Sequence, residues 1–345
     1  MPTLQEALAA KLQSDDGKEA LKTWFGHFTA LADHSSQEMY RGYRTRLNGF
    51  LGHVGKGIYK SWIPIGAIRQ NANALSIKCQ GRKVAIARFR KKDPDFTISF
   101  TKFAKGKNPE NESAIIESKA IPYRAAIKTL QTLPNSPDFQ SGVANFPEWA
   151  LEAWLAAKLD ANRNQKGGTV FGQMAPLKYK DMLLQVSSPF SASTNDLNGV
   201  KVAPKANGHS DILVRRGQGR ASRLGILELK ARQEKKNIAK SLCQAFAYAY
   251  CYYHTFRNLP EPSVDRDNVL SVLGYGDPWW KQDGPPLEAI AVVPTGFEDF
   301  VIAEAKKRGL FESQAVKDGE IRLFLWTYEA TDKGDYTFAE PPQKV

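Results

Sequence analysis

The sequence predicts an α/β protein in two parts. Residues 1–140 read as a basic α+β region, and residues 141–345 as a mixed sheet flanked by helices. Three observations carry this. Apolar and polar residues alternate from Ala74 to Ala104, the period of half-buried strands. After residue 147 the order becomes helix, three strands, helix, strand. Between the two patterns lies LPNSPDFQSGVANFP (133–147), dense in turn formers and a candidate domain boundary.

The elements follow in chain order. Residues 1 to about 70 read as helices with short breaks. ALSIKCQ, KVAIARFR and DFTISFTKFA read as a three-stranded antiparallel meander, turning at Gln80-Gly81 and at Lys92-Asp93-Pro94. A helix is predicted over 121–132 and another over 146–159, where Pro147 suits a first turn. DMLLQVSSPF (181–190), HSDILVRR and SRLGILELKA then read as three strands, the last two joined by GQGRA. In 235–256, Ile238, Leu242, Phe246, Ala249 and Tyr253 recur at helical spacing. The strand LEAIAVVP, a helix near 297–308 and the strand IRLFLWTY complete the chain.

A hydrophobic fraction of 42% over 345 residues is that of a globular chain with a sizeable core. No apolar run approaches the roughly 20 residues a bilayer requires, and the N-terminus has no signal-peptide pattern. Three scattered cysteines, Cys79, Cys243 and Cys251, form no CxxC pair and no disulfide framework. A cytoplasmic protein without membrane contact is expected.

The net charge of +12 is localised. Residues 39–92 contain no acid and thirteen Lys and Arg, so this segment accounts for the whole excess. Concentrated positive charge favours a polyanionic partner, because each neutralised phosphate releases counterions. Arg41, Arg44, Arg46, Lys60, Arg88 and Arg90 are the candidate backbone contacts. Tyr40, Tyr43, Tyr59 and Trp62 are interleaved with them, either to stack bases or to fill the core.

In a strand, residues two apart share a face. Glu228 and Lys230 therefore point one way at the end of one run, while Asp211 opens the neighbouring run. If the runs pair, two carboxylates and an ammonium converge. Two close carboxylates repel unless a proton or cation intervenes, and a hard divalent cation suits oxygen donors. The competing explanation is a cross-strand salt bridge at a solvated sheet end. Asp/Glu-x-Lys alone carries no information, since it occurs five times here. Only the triplet at Glu228 ends an apolar run that follows a second run bearing an acid.

With Asp211, Glu228 and Lys230 in this context, residues 146–293 resemble the PD-(D/E)XK nuclease superfamily, and its RecB-like subgroup in particular. The resemblance implies a restriction-endonuclease-like core with a four-stranded mixed sheet. It implies Mg²⁺ or Mn²⁺ held by Asp211, Glu228 and the Leu229 carbonyl, with Lys230 serving the attacking water. Ser210 stands where the motif's proline would be. A first-helix acid is implied, with Glu148 and Glu152 as candidates and Glu152 preferred because it lies deeper in the helix. Gln244 and Tyr248, four apart on the following helix, match the subgroup's Gln and Tyr, the first in a supporting and the second in a nucleic-acid role. Members holding an iron–sulfur cluster need four cysteines, so no cluster is expected.

The expected function is therefore a metal-dependent nuclease, endo- or exonuclease, favouring DNA over RNA and leaving a 5′ phosphate. The alternative is a nucleic-acid-binding subunit that does not turn over, or that cleaves only once a protein partner or second copy engages it. His209, two before Asp211, is a candidate contact or an ordinary strand-end histidine. Trp279 and Trp280 are candidates for base stacking or for capping the core.

Overall fold

The computed structural model describes residues 2–55, 59–64, 74–80, 82–89, 95–101, 119–145, 147–162, 170–179, 182–185, 188–191, 201–202, 210–231, 235–259, 263–276, 284–331 and 335–345; residues 34–37, 59–64, 142–145, 185, 190–191, 201–202, 220 and 235–236 are described by backbone alone.

The chain opens with three helices, α1 (Leu4–Gln13), α2 (Asp15–Ala32) and α3 (His34–Val54). A capping box starts α1: the Glu6 amide donates to Thr3 Oγ1 at 3.3 Å and the Thr3 amide to the Glu6 carboxylate at 2.7 Å. These helices serve two different partners. The Leu4 amide donates to the Arg308 carbonyl at 3.0 Å, and Trp24 of α2 packs edge-on against Tyr252, so α1 and α2 belong to the C-terminal core. In contrast, α3 covers the first sheet, with Tyr43 stacked on Phe89 at 4.4 Å between ring centroids.

That sheet contains the predicted meander as β2 (Ala74–Cys79), β3 (Arg82–Phe89) and β4 (Phe96–Phe100), paired antiparallel. Gln80 turns the β2–β3 corner at φ 47°, a left-handed conformation few residues adopt. β1 (Tyr59–Pro64) extends the sheet on one side and β5 (Ile121–Pro122) on the other. Beyond β5 come α4 (Ile127–Thr132), α5 (Pro137–Asn145) and α6 (Pro147–Ala161). The turn-rich stretch 133–147 is thus largely helical. Its turn formers start a helix: Ser136 Oγ caps the Phe139 amide at 3.3 Å, with Pro137 at the first helical position.

The strand expected over 181–190 is a correction. It is β8 (Met182–Gln185), and it runs parallel to β1 in the first sheet. The first strand of the second sheet is instead β6 (Met174–Pro176), followed at once by β7 (Lys178–Tyr179). β6 pairs with β11 (Ile212–Arg216), the Leu177 amide donates to the Leu213 carbonyl at 2.7 Å, and β7 pairs with β8. Residues 174–179 therefore run out of one sheet into the other, and the predicted 140/141 boundary does not separate the two sheets. Period-two alternation says that a strand has a buried face; it does not say which neighbour it pairs with. A short ribbon, β9 (Phe190–Ser191) with β10 (Lys201–Val202), lies between β8 and β11 in the chain.

The second sheet is mixed. β6, β11 and β12 (Arg223–Leu229) are antiparallel. β12, β13 (Leu287–Pro294) and β14 (Ile321–Ala330) are parallel. β15 (Tyr336–Thr337) and β16 (Gln343–Lys344) add to β14, so the sheet exceeds the four strands expected. After the single turn α7 (Lys235–Ile238), the crossover α8 (Ser241–Arg257) packs on β12 and β13, with α9 (Val264–Val272) against α2. α10 (Glu298–Lys307) and the short α11 (Gln314–Lys317) complete the crossover to β14. On the opposite face, Leu151, Leu155 and Leu159 of α6 pack against Ile212, Val214, Leu227 and Leu229. Covered on both faces, β13 is buried along its whole length. The fold is thus α/β, with a mixed sheet flanked by helices. Among the described residues no helix is long and apolar enough to cross a membrane.

Candidate active site

The hairpin β11–β12 brings the acidic residues together. Its register pairs Ile212 with Leu227, and one step further places Asp211 opposite Glu228. The Leu229 amide donates to Asp211 Oδ2 at 2.6 Å, which ties the acid to the end of β12. Lys230 follows directly. Its amide donates to the Val292 carbonyl at 2.9 Å and its carbonyl accepts from the Tyr328 hydroxyl at 3.0 Å, so its backbone is held on both sides. The Lys230 ammonium lies 2.9 Å from Glu228 Oε1 and 3.4 Å from Glu148 Oε1.

α6 supplies two acids one turn apart, and each takes a different lysine. Glu148 reaches Lys230. Glu152, the preferred first-helix acid, lies 3.3 Å from Lys78 Nζ, and both side chains are almost wholly buried, 3% exposed for Lys78 and 6% for Glu152. Lys78 comes from β2 of the first sheet, 74 residues earlier in the chain. Nothing local marks it: it is one of thirteen basic residues and alternates with buried Ile77 and Cys79 as a surface lysine would. Only the meeting of the two sheets reveals it.

The electrostatics follow from the count. Among the described residues, Asp211, Glu228, Glu148 and Glu152 gather around two ammonium groups, Lys230 and Lys78. Burial first, then repulsion by Glu228 and a smaller one by Glu152, pushes the Asp211 carboxyl well above the usual carboxylate range, despite Lys230 and the Leu229 amide. Burial alone would lower Lys230; Glu228, Glu148 and Asp211 instead hold its ammonium well above the usual lysine value.

The donor set fits a hard divalent cation in charge and in chemistry, being all oxygen. Among the described residues no three His, Cys, Asp or Glu side chains are grouped to hold an ion. Mg²⁺ needs fewer, since it is held through one or two carboxylates with water completing its shell. Asp211 and Glu228 are the two carboxylates placed opposite each other here. For Leu229 the amide contact to Asp211 is the one in place, and its side chain lies in the core.

The remaining expected residues are placed unevenly. Gln244 and Tyr248 lie on α8, 4% and 6% exposed. Tyr248 lines a small cleft with Ser210, Ser188 and Cys251, so it is no open stacking platform. The reason is that α8 is buried almost all round. Arg41 is exposed and pairs with Glu38 at 3.0 Å. Arg44 is half-buried, and the half-buried Arg46 lies 5.3 Å from the ring centroids of both Tyr43 and Phe89. Arg88 donates to Ser99 Oγ at 3.2 Å. Lys60 pairs in register with Lys78; its side chain, Arg90, His209, Trp279 and Trp280 lie outside the described residues.

Two basic residues of the acid-free segment do not contribute to its surface. Lys78 is committed to Glu152, and Arg82 is buried with Nη1 on the Phe139 carbonyl at 3.1 Å. Tyr40 and Tyr43 are core residues, each 1% exposed. Counting charge along a chain overstates the charge that reaches solvent. No family model, curated protein or solved structure matches the chain.

Proposed function

We propose that the chain is a Mg²⁺- or Mn²⁺-dependent nuclease of the PD-(D/E)XK kind, endo- or exonuclease, acting on DNA in preference to RNA. The observation that carries this reading is the meeting of Asp211 with Glu228 beside the Lys230 ammonium. The order α6, β6, β11, β12, α8, β13, with β7–β10, α7 and α9 inserted, supports it: helix, three strands, helix and strand are what a restriction-endonuclease-like core would have. Asp211 and Glu228 would hold the cation, which when bound supplies an acidified water and neutralises phosphate charge.

The chain's own residues do the rest. Lys230, kept as ammonium, donates to the attacking water or to the charge developing on phosphorus. Glu148 and Glu228 aim that ammonium. Lys78 balances Glu152, and Gln244 supports the centre from α8. Arg41, Arg44, Arg46 and Arg88, with Lys60 and Arg90 in the same segment, would guide the nucleic-acid backbone. Three buried free cysteines suit a cytoplasmic setting.

Labelled DNA and RNA incubated with Mg²⁺ or EDTA test the reading. Wild type is expected to cleave only with Mg²⁺, and Lys230→Ala to lose that cleavage while still binding DNA. Cleavage that is indifferent to EDTA or to Lys230→Ala overturns it. A second reading, a binding subunit silent until a protein partner or second copy engages it, draws on the ion-paired state of Glu228 and Lys230. Salt-sensitive binding without cleavage would favour it.

A further inference from the structure

The opposite end of the β11–β12 hairpin carries a second charged group that the proposed chemistry does not use. Arg216 and Arg223 are cross-strand partners, a like-charge pairing that is unfavourable unless something bridges it. Glu288 of β13 does so, with one oxygen 3.0 Å from each guanidinium. Glu288 is wholly buried, whereas the arginine side chains are 25% and 34% exposed.

Among the described residues one buried acid balances one of the two arginines and leaves one positive charge over. Each guanidinium carries five N–H donors, and Glu288 engages one Nη1 from each. Among the described residues neither has another hydrogen-bond partner. Phe324 backs the Arg216 guanidinium at 4.7 Å and fixes its plane. Both arginines line a cleft of about 660 Å³ whose other walls include Val170, Gln173, Ala221, Ala339 and Pro341. That volume is within the range of small-ligand sites, and among the described residues its walls contribute no acid.

We propose that this cleft is a second ligand site, taking a phosphate-type oxyanion between Arg216 and Arg223. Glu288 presets the two forks, as a buried carboxylate can, and the surplus charge is what the ligand neutralises. The phosphate is carried either by a free nucleotide or by the end of a nucleic-acid strand. The site stands whether or not the acidic cluster cleaves anything.

Isothermal titration in EDTA tests it with inorganic phosphate, then a 5′-mononucleotide, then an oligonucleotide with and without a 5′ phosphate. Saturable phosphate binding is expected, weakened about tenfold or more by Arg223→Gln and by Ala339→Glu. Ala339 is exposed, so Ala339→Glu places a repelling charge at the rim without disturbing the Arg216–Glu288–Arg223 group. It decides the matter if Arg223→Gln fails to fold. Tighter binding of the mononucleotide assigns the site to a free nucleotide. A preference for the 5′-phosphorylated oligonucleotide, lost in Ala339→Glu, assigns it to a strand end. No saturable phosphate binding at millimolar concentration, or binding unchanged in Ala339→Glu, overturns the proposal.

Discussion

The two ends of the β11–β12 hairpin are made from the same strands and carry opposite imbalances. Among the described residues, four carboxylates face two lysines at one end, and two arginines face one carboxylate at the other. Both ends contain ion pairs, so pairing alone does not distinguish a site from a structural bridge. The residual charge does. A balanced group has no remaining demand, whereas an acid-rich group would suit a divalent cation and an arginine-rich one an anion. At the acidic end burial first, and then repulsion by Glu228, holds the Asp211 carboxyl well above the usual range.

The largest expected effect breaks the acidic end itself. Asp211→Asn is expected to reduce metal-dependent cleavage by on the order of 10⁴-fold, the scale on which losing one member of a catalytic constellation acts. Single-turnover cleavage of labelled DNA measures it, and a change of only a few-fold would place the chemistry elsewhere. Next comes Lys78→Met, which removes the ammonium paired with the buried Glu152. A loss of about 3–5 kcal/mol in denaturant stability is expected, largely recovered in Lys78→Met with Glu152→Leu. A double variant as unstable as the single would show that the pair is not coupled.

A smaller effect sharpens the electrostatic side. A carboxyl raised on folding binds its proton more tightly in the native state, so its contribution falls as pH rises above the unfolded value of 3.8. Without a divalent cation, stability should therefore decline from acid toward neutral pH by an amount that Asp211→Asn removes and that added Mg²⁺ offsets. Lys230 has the same sign, its contribution being present below its unfolded value of 10.5 and lost as pH rises through its raised folded value. Thermal unfolding across pH, with and without EDTA, checks this; identical slopes in wild type and Asp211→Asn would contradict it. Smallest is the effect of Arg41→Ala or Arg44→Ala. Each should lower the salt dependence of DNA binding by about one in log–log slope while leaving cation affinity unchanged.

What was readable in the sequence follows what is local. The juxtaposition of Asp211 with Glu228 follows from two alternating runs and a short turn, because a hairpin fixes its own register. The meander at 74–100 was legible for the same reason and α8 from its helical spacing, whereas the burial of α8 almost all round was not. The origin of the second sheet's first strand was not. β6 is three residues long and includes Pro176, below the length at which period two can be recognised. The strand that did show the pattern, β8, joined the other sheet. Glu148 and Glu152 were both identifiable as site acids, but their division between Lys230 and Lys78 depends on a residue from the first sheet. Lys78 and Arg82 look like surface charge in the sequence and are interior in the fold. Long-range contacts of this sort leave no trace in local patterning.

The central claim is that the Asp211–Glu228 end of the hairpin takes up one divalent cation. Titration of Mn²⁺ into the metal-depleted protein, followed by its electron paramagnetic resonance signal, tests this without relying on cleavage. A single saturable site in wild type is expected, lost in both Asp211→Asn and Glu228→Gln and retained in Arg223→Gln. Absence of saturable binding, or binding that survives both acid substitutions, would contradict it.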